Sequence, residues 1–175
     1  LSDNNVAIKR ATDSMTLNTG GSARVTIDEN GIVTKPLQPV FLVTKSGHQN
    51  DIAINATTTI TFDTERIDKN ADFSSNTFTA PVTGKYQLNL NVRLQSLDTD
   101  ANYHMFQLET SNRNYQWMVT PSGLSSDATY WFAAINVLAD MDANDTATFQ
   151  FRNDQGAQQP FINQEFTFLG GMLLG

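Results

Sequence analysis

The stretch Phe78-Thr79-Ala80-Pro81-Val82-Thr83-Gly84-Lys85-Tyr86-Gln87-Leu88-Asn89-Leu90-Asn91-Val92 limits what this chain can fold into more than any other. A turn carrying Pro81 and Gly84 is followed by a clean two-residue alternation. Tyr86, Leu88, Leu90, Val92 and Leu94 fall on one side, and Lys85, Gln87, Asn89, Asn91, Arg93 and Gln95 on the other. A helical period of 3.6 would scatter that apolar set around the surface, so the segment is a strand with one core face.

Further strands are predicted at short spacing: Val40–Val43, Thr57–Asp63, Thr77–Phe78, Lys85–Gln95, Tyr103–Glu109, Tyr115–Thr120, Tyr130–Leu138, Ala147–Arg152 and Glu165–Leu174. Turn-rich pieces separate them, and no segment carries an amphipathic helix. Short strands with regular turns predict an all-β protein, a jelly-roll β-sandwich. Ala147, Phe149 and Phe151 share one strand face, and Phe166 and Phe168 another, while Phe62, Tyr86, Phe106 and Phe132 are further candidates for the space between the sheets.

One strand is apolar on both sides. Trp131, Ala133, Ile135 and Val137 alternate with Tyr130, Phe132, Ala134 and Leu138, and the closing run Phe166–Leu174 has the same character. One face of a sandwich strand normally meets water. Apolar side chains on both faces therefore predict a partner beyond the opposing sheet, most simply another subunit, because such a surface left bare invites aggregation.

Residues 1–37 read differently. Arg24–Val33 forms two short β segments around Asn30-Gly31, and Met15-Thr16-Leu17 is a brief alternation before Gly20-Gly21. The segment has no aromatic residue and too few apolar ones for a core of its own. Either it is a loose tail or it gains a core by winding against identical copies. Lys35-Pro36-Leu37-Gln38-Pro39 marks a stiff boundary, giving an N-terminal β stalk or trimerisation segment at 1–37 and a head at 38–175.

Composition narrows the function classes. The net charge is −7, and because charges balance within residues 1–37 the whole excess lies on the head. No basic cluster exists to track phosphates, which argues against nucleic acid. No apolar run is long enough to insert in a membrane as a helix. There is no cysteine, hence no disulfide, thiolate metal site or thiol nucleophile. The 17 Asn and 21 Thr suit a polar, weakly charged β surface of the kind exposed outside cells or on virions. The start at Leu1 rather than Met suggests a processed or excised fragment.

The pattern resembles the globular head of the C1q family, a relative of tumour necrosis factor. The resemblance rests on Phe62, Asp68, Phe73, Phe78, Gly84, Tyr86, Leu88 and Leu90, on the core Phe-Thr-Ala-Pro-Val-x-Gly-x-Tyr, on Pro39-Val40-Phe41, on Asn144-Asp145, and on a C-terminal strand ending in Gly then Leu-Leu. Leu88 and Leu90 stand where the family usually has aromatics, and collagen repeats are missing. Residues 1–37 instead resemble hairpin units of bacteriophage tail fibres, through Val25-x-Ile27-x-x-x-Gly31-x-Val33 and Lys35-Pro36. The resemblance implies a jelly roll of about ten strands, a homotrimer, and ligand binding on exposed faces or the apex. Tyr130, Phe132, Ala134, Phe166, Phe168 and Leu173 are the candidate trimer-interface residues.

No enzyme is expected. His48 and His104 lie 56 residues apart and form no recognisable metal set, and neither a nucleophile elbow nor a phosphate loop is present. Asp63, Glu65, Asp68 and Asp72 read as turn residues; a fibre-borne glycan hydrolase would need an exposed carboxylate pair about 5–9 Å apart. Asp98 and Asp100, with Asp140, Asp142 and Asp145, offer oxygen ligands for a hard cation such as Ca²⁺, although the spacing is not that of an EF-hand. Tyr115 and Trp117 alternate on one strand face behind Asn112, Arg113 and Asn114, a combination of rings, amides and guanidinium suited to sugars.

Together these features predict a non-enzymatic trimeric tip of a phage or virion fibre. Its expected partners are a host-surface glycan or protein and other fibre or tail proteins. The alternative is a secreted adhesion or signalling domain.

Overall fold

A computed structural model describes residues 6–175. The chain divides into two compact units, Leu1–Gln38 and Pro39–Gly175, one residue beyond the boundary expected from the prolines.

In the first unit, β1 (Val6–Ala11), β2 (Ser14–Thr19), β3 (Ser22–Ile27) and β4 (Val33–Thr34) form an antiparallel sheet in chain order. Gly20 and Gly21, at φ +56° and +78°, make the two-residue turn between β2 and β3, where residues with a Cβ are disfavoured. β3 and β4 flank the Asn30-Gly31 turn, as predicted; the Asp28 carboxylate accepts the N–H groups of Asn30 and Ile32 at 2.9 and 2.8 Å. Pairing puts Ile8, Leu17 and Val25 in one row and Met15, Ile27 and Val33 in the next. A bulge between Leu17 and Asn18 brings Val25 into line with them. Val6, Ile8, Met15, Leu17 and Val33 remain exposed. Among the described residues this unit is an amphipathic sheet with exposed apolar side chains on one face.

The second unit holds β5 (Val40–Thr44), β6 (Thr57–Thr59), β7 (Thr64–Asp68), β8 (Phe73–Ser74), β9 (Thr77–Thr79), β10 (Gly84–Leu97), β11 (Tyr103–Thr110), β12 (Asn114–Val119), β13 (Ala128–Met141), β14 (Thr146–Asp154), β15 (Phe161–Ile162) and β16 (Phe168–Leu173). One sheet runs β13-β10-β16-β5-β7 and the other β12-β11-β14-β9-β8, with β15 and β6 paired at the rims of β10 and β14. The sheets face one another as a jelly-roll sandwich.

Most predicted strands appear at their expected places, with two corrections. The 57–63 strand ends at Thr59, and a separate strand, β7, follows it. Beyond Thr59 the chain turns Ile60 and Phe62 into the core, while the Asp63 carboxylate leaves the ladder to accept the N–H and hydroxyl of Ser46, both at 2.7 Å. The closing strand starts at Phe168 rather than Glu165, because Phe166 sits at φ +61°, a left-handed conformation that a strand cannot continue through.

The alternation of β10 fills the core as predicted: Tyr86, Leu88, Leu90, Val92 and Leu94 are completely buried. Each such side chain contributes about 1.5–3 kcal/mol of burial. Phe106, Leu108, Phe149 and Phe151 answer them from the opposing sheet, and Phe41 stacks on Phe78 and Phe73 at 4.8 and 5.3 Å. Phe132, Phe166 and Phe168 do not share this core. They are 60%, 63% and 38% exposed on the outer face of the first sheet.

Candidate functional site

Two surfaces collect the candidate residues. The first is the outer face of the β13-β10-β16-β5 sheet. Cross-strand pairing sets Phe132 beside Arg93, Asn91 between Ala134 and Phe168, and Gln87 between Leu138 and Met172. Tyr130, Phe132, Leu138, Phe166, Phe168 and Met172 are exposed here, and Ala134 lies among them. Of the expected interface residues, Leu173 is the one that does not lie on this face. Its register partner is the buried Tyr86, and it packs against the core. Its neighbour Met172 takes the outward position, 45% exposed.

The second surface lies at one end of the sandwich, where the β11–β12 hairpin meets the ends of β10 and β13. The Arg113 guanidinium pairs with the Asp140 carboxylate at 2.7 Å, and Asn112 Nδ2 donates to the Asp140 carbonyl at 3.1 Å. Thr83 Oγ1 donates to Asp142 at 3.4 Å and accepts the N–H of Ala143 at 3.1 Å. Thr83, Asn112, Asp140 and Asp142, with Lys85 and Gly175, line a polar cavity of about 200 Å³. The structure thus joins part of the predicted sugar set to part of the predicted cation set.

The aromatic half of the sugar set lies elsewhere. Tyr115 and Trp117 point to the interior side of β12 and pack half-buried against the core, while Asn114, Gln116 and Met118 face out. Alternation had identified the two faces correctly but could not say which faced the core. Burial holds the Tyr115 phenol above its ordinary range, with Arg113 opposing and Asp140 adding to the shift. At this edge the rings leave only a partial apolar surface beside exposed Asn112, Arg113 and Asn114.

The acidic residues divide by environment. Asp98 is buried, and its carboxylate accepts the N–H groups of Asp100 at 2.9 Å, Ala157 at 2.5 Å and Gln158 at 2.7 Å. It pins two loops together and has little capacity left for a cation, in contrast to its reading as an open metal ligand. Asp100 is exposed beside it. Asp145 accepts the Asp142 N–H at 2.8 Å, closing the β13–β14 turn in which Asn144 stands at φ +74°. Among the described residues no three His, Asp or Glu side chains converge as a metal set.

His104 is fully buried and stacked on Phe151 at 5.9 Å. Its Nε2 lies 3.1 Å from the Asp98 carbonyl, so that nitrogen carries the proton. Burial lowers its pKa, with the Asp98 carbonyl and carboxylate opposing. His48 is exposed and accepts the N–H of Gln164 through Nδ1 at 3.0 Å.

Sequence reading overlooked Arg93, Met172, Thr83 and Lys85. Arg93 was visible as a charge among the amides on the polar face of β10, but nothing local showed what would surround it.

The two facing sheets give the second unit a jelly-roll fold similar to that of C1q and tumour necrosis factor domains. Among solved structures, the globular domain of zebrafish complement 1qA superimposes with a TM-score of 0.57 at 14% identity, over 79% of this chain and 98% of that one. Murine APRIL gives a TM-score of 0.55 at 14% identity, over 78% and 99%. A second murine APRIL structure, at pH 5.0, gives 0.53 at 15% identity, over 78% and 99%. No protein-family model and no curated protein sequence matches the chain.

Proposed function

We infer that this chain is a non-enzymatic, homotrimeric recognition head carried on a β stalk, acting at the tip of a phage or virion fibre. The observation that carries the reading is the outer face of the β13-β10-β16-β5 sheet, where Tyr130, Phe132, Phe168 and Met172 stand exposed on a folded sandwich. Exposed apolar side chains of that size, flanking the amide row Gln87, Asn89 and Asn91 of β10, ask for a protein partner, and identical copies supply one. The exposed apolar side chains of the first unit support the same arrangement for the stalk.

Recognition of a host-surface glycan or protein then falls to the Asn112–Arg113–Asp140 end and the Tyr115–Trp117 edge. Weak sites repeated on a rigid trimer gain avidity without new contacts. Any Ca²⁺ requirement would rest on Asp140, Asp142 and Asp145 rather than on Asp98. A second reading, a secreted C1q/TNF-like adhesion or signalling domain, is favoured by the likeness to the complement 1qA head and APRIL.

Light scattering on the full chain tests the assembly. We expect three times the 19.3 kDa chain mass at micromolar concentration; a monomer overturns the reading. A glycan array on the same material, with and without chelator, tests recognition and cation dependence. Antibodies against the head separate the two biological settings, labelling particles in the first and finding soluble antigen in the medium in the second.

A further inference from the structure

On the outer face of the first sheet a single cation is enclosed by rings. Arg93 is only 9% exposed, and its guanidinium carbon lies 4.9 Å from the ring centre of Tyr130, 5.9 Å from Phe132 and 4.9 Å from Phe166. Nη2 donates to Glu165 at 2.9 Å, while Nε is buried with no hydrogen-bond acceptor among the described residues. The rings therefore provide much of the electron density that faces the charge.

The enclosure is tied down from below. The Arg93 N–H donates to Thr167 Oγ1 at 3.1 Å, and the Asn163 N–H donates to the Arg93 carbonyl at 2.9 Å. Asn163 is itself fixed, donating to Gln95 at 3.0 Å and accepting the Glu165 N–H at 2.8 Å. These bonds fold residues 163–167 over β10 and hold Phe166 at φ +61°. For a bulky residue that conformation costs about 1 kcal/mol or more. An isolated chain gains little from strain that keeps a Phe ring 63% exposed. A surface laid over the rings would exclude water and strengthen their attraction for the guanidinium.

A second copy of this chain fits that surface. The chain carries a net charge of −7, yet between the Lys85–Asp140 row and the Arg93–Phe132 row the outward positions of β5, β10, β13 and β16 hold no carboxylate. Copies can meet there without the like-charge repulsion expected over most of the surface. The clasp is also continuous with the apolar residues on which the self-association reading rests.

We propose that Arg93, clasped by Tyr130, Phe132 and Phe166, is the specificity-determining residue of self-association, setting the register in which copies pack. This rests on the self-association reading above. Lysine keeps the charge but loses the planar stacking of guanidinium on rings. Phe166→Gly removes a ring at a position whose backbone favours glycine, so the fold is not put at risk.

The test is sedimentation of the full chain over a dilution series, with circular dichroism and unfolding of the dissociated chain as controls. For both Arg93→Lys and Phe166→Gly the concentration at half-dissociation should rise by about tenfold or more, with the monomer fold unchanged. Should Arg93→Lys fail to fold, Phe166→Gly decides alone. If the wild type associates and the folded variants dissociate within about twofold of it, this proposal is overturned and the self-association reading stands. A wild-type monomer overturns both.

Discussion

The hydroxyl of Tyr86 donates to the carbonyl of Val82 at 2.7 Å, closing the Pro81–Gly84 turn onto the strand that follows it. The ring is fully buried and meets Phe78 edge-on at 5.3 Å, so one side chain fixes both the turn and the core beneath it. Tyr86→Phe keeps the packing and removes the hydrogen bond. Urea unfolding should show a loss of about 0.5–1.5 kcal/mol, with an unchanged denaturant slope.

Gly171 lies in the central strand β16 with no room for a side chain. An added Cβ would stand 2.6 Å from Leu88 Cδ2, 2.7 Å from Phe41 Cε1 and 3.1 Å from the Gln87 carbonyl. Gly171→Ala should cost about 1–3 kcal/mol through overpacking, measured by the same unfolding experiment.

Asp98→Ala leaves the N–H groups of Asp100, Ala157 and Gln158 without their acceptor. The expected loss is at least about 3 kcal/mol, because buried donors stripped of partners bear their full desolvation cost. Hydrogen exchange should quicken at Ala157 and Gln158 even where the fold survives.

His104 gives the head an acid sensitivity of defined sign. The unfolded imidazole binds a proton near its ordinary value of about 6.5, whereas burial makes the folded one resist protonation to lower pH. The unfolded state therefore holds more protons in that window. The contribution is fully present above about pH 6.5, is lost as pH falls through the folded value, and then levels off. Urea midpoints from pH 7.5 to 4.5 should show a steeper decline for the wild type than for His104→Gln.

The Arg113–Asp140 pair is exposed on both sides, so Arg113→Ala should change stability by less than about 1 kcal/mol. Surface-glycan binding by the assembled protein should fall at least about tenfold, equivalent to one charged hydrogen bond. Undiminished binding would move recognition away from this end of the sandwich.

Sequence pattern exposed the framework of the head because β10 obeys one rule from Tyr86 to Leu94, before Ser96 at φ +60° shifts it. A strand embedded between neighbours with one buried face can hardly show any pattern but strict alternation. β7 escaped notice because Thr64-Glu65-Arg66-Ile67-Asp68 is an edge strand that buries little and so lacks that signature. Met172 and Leu173 were interchanged because Gly170 and Gly171 contribute no side chains and blank the alternation just before them. Tyr115 and Trp117 share one face by alternation, but period 2 separates faces without orienting them, so their half-burial against the core was not legible. The roles of Asp98 and Arg93 depend on residues 157–158 and 163–167, about 60–70 positions away, a separation that no local pattern spans.

β16 is the last strand in sequence, yet it lies between β5 and β10 in the middle of its sheet. While a nascent chain is being extended, the facing sides of β5 and β10 lack the strand that joins them until residues 168–173 emerge. Two long-range pairings must then close at once, which makes formation of this sheet a late, slow and cooperative event. Folding of the head therefore waits on residues 168–173, and the outer face on which copies would meet is not complete until they have emerged. The order of strands acts as a timer, holding back the head's outer face until its final strand is in place.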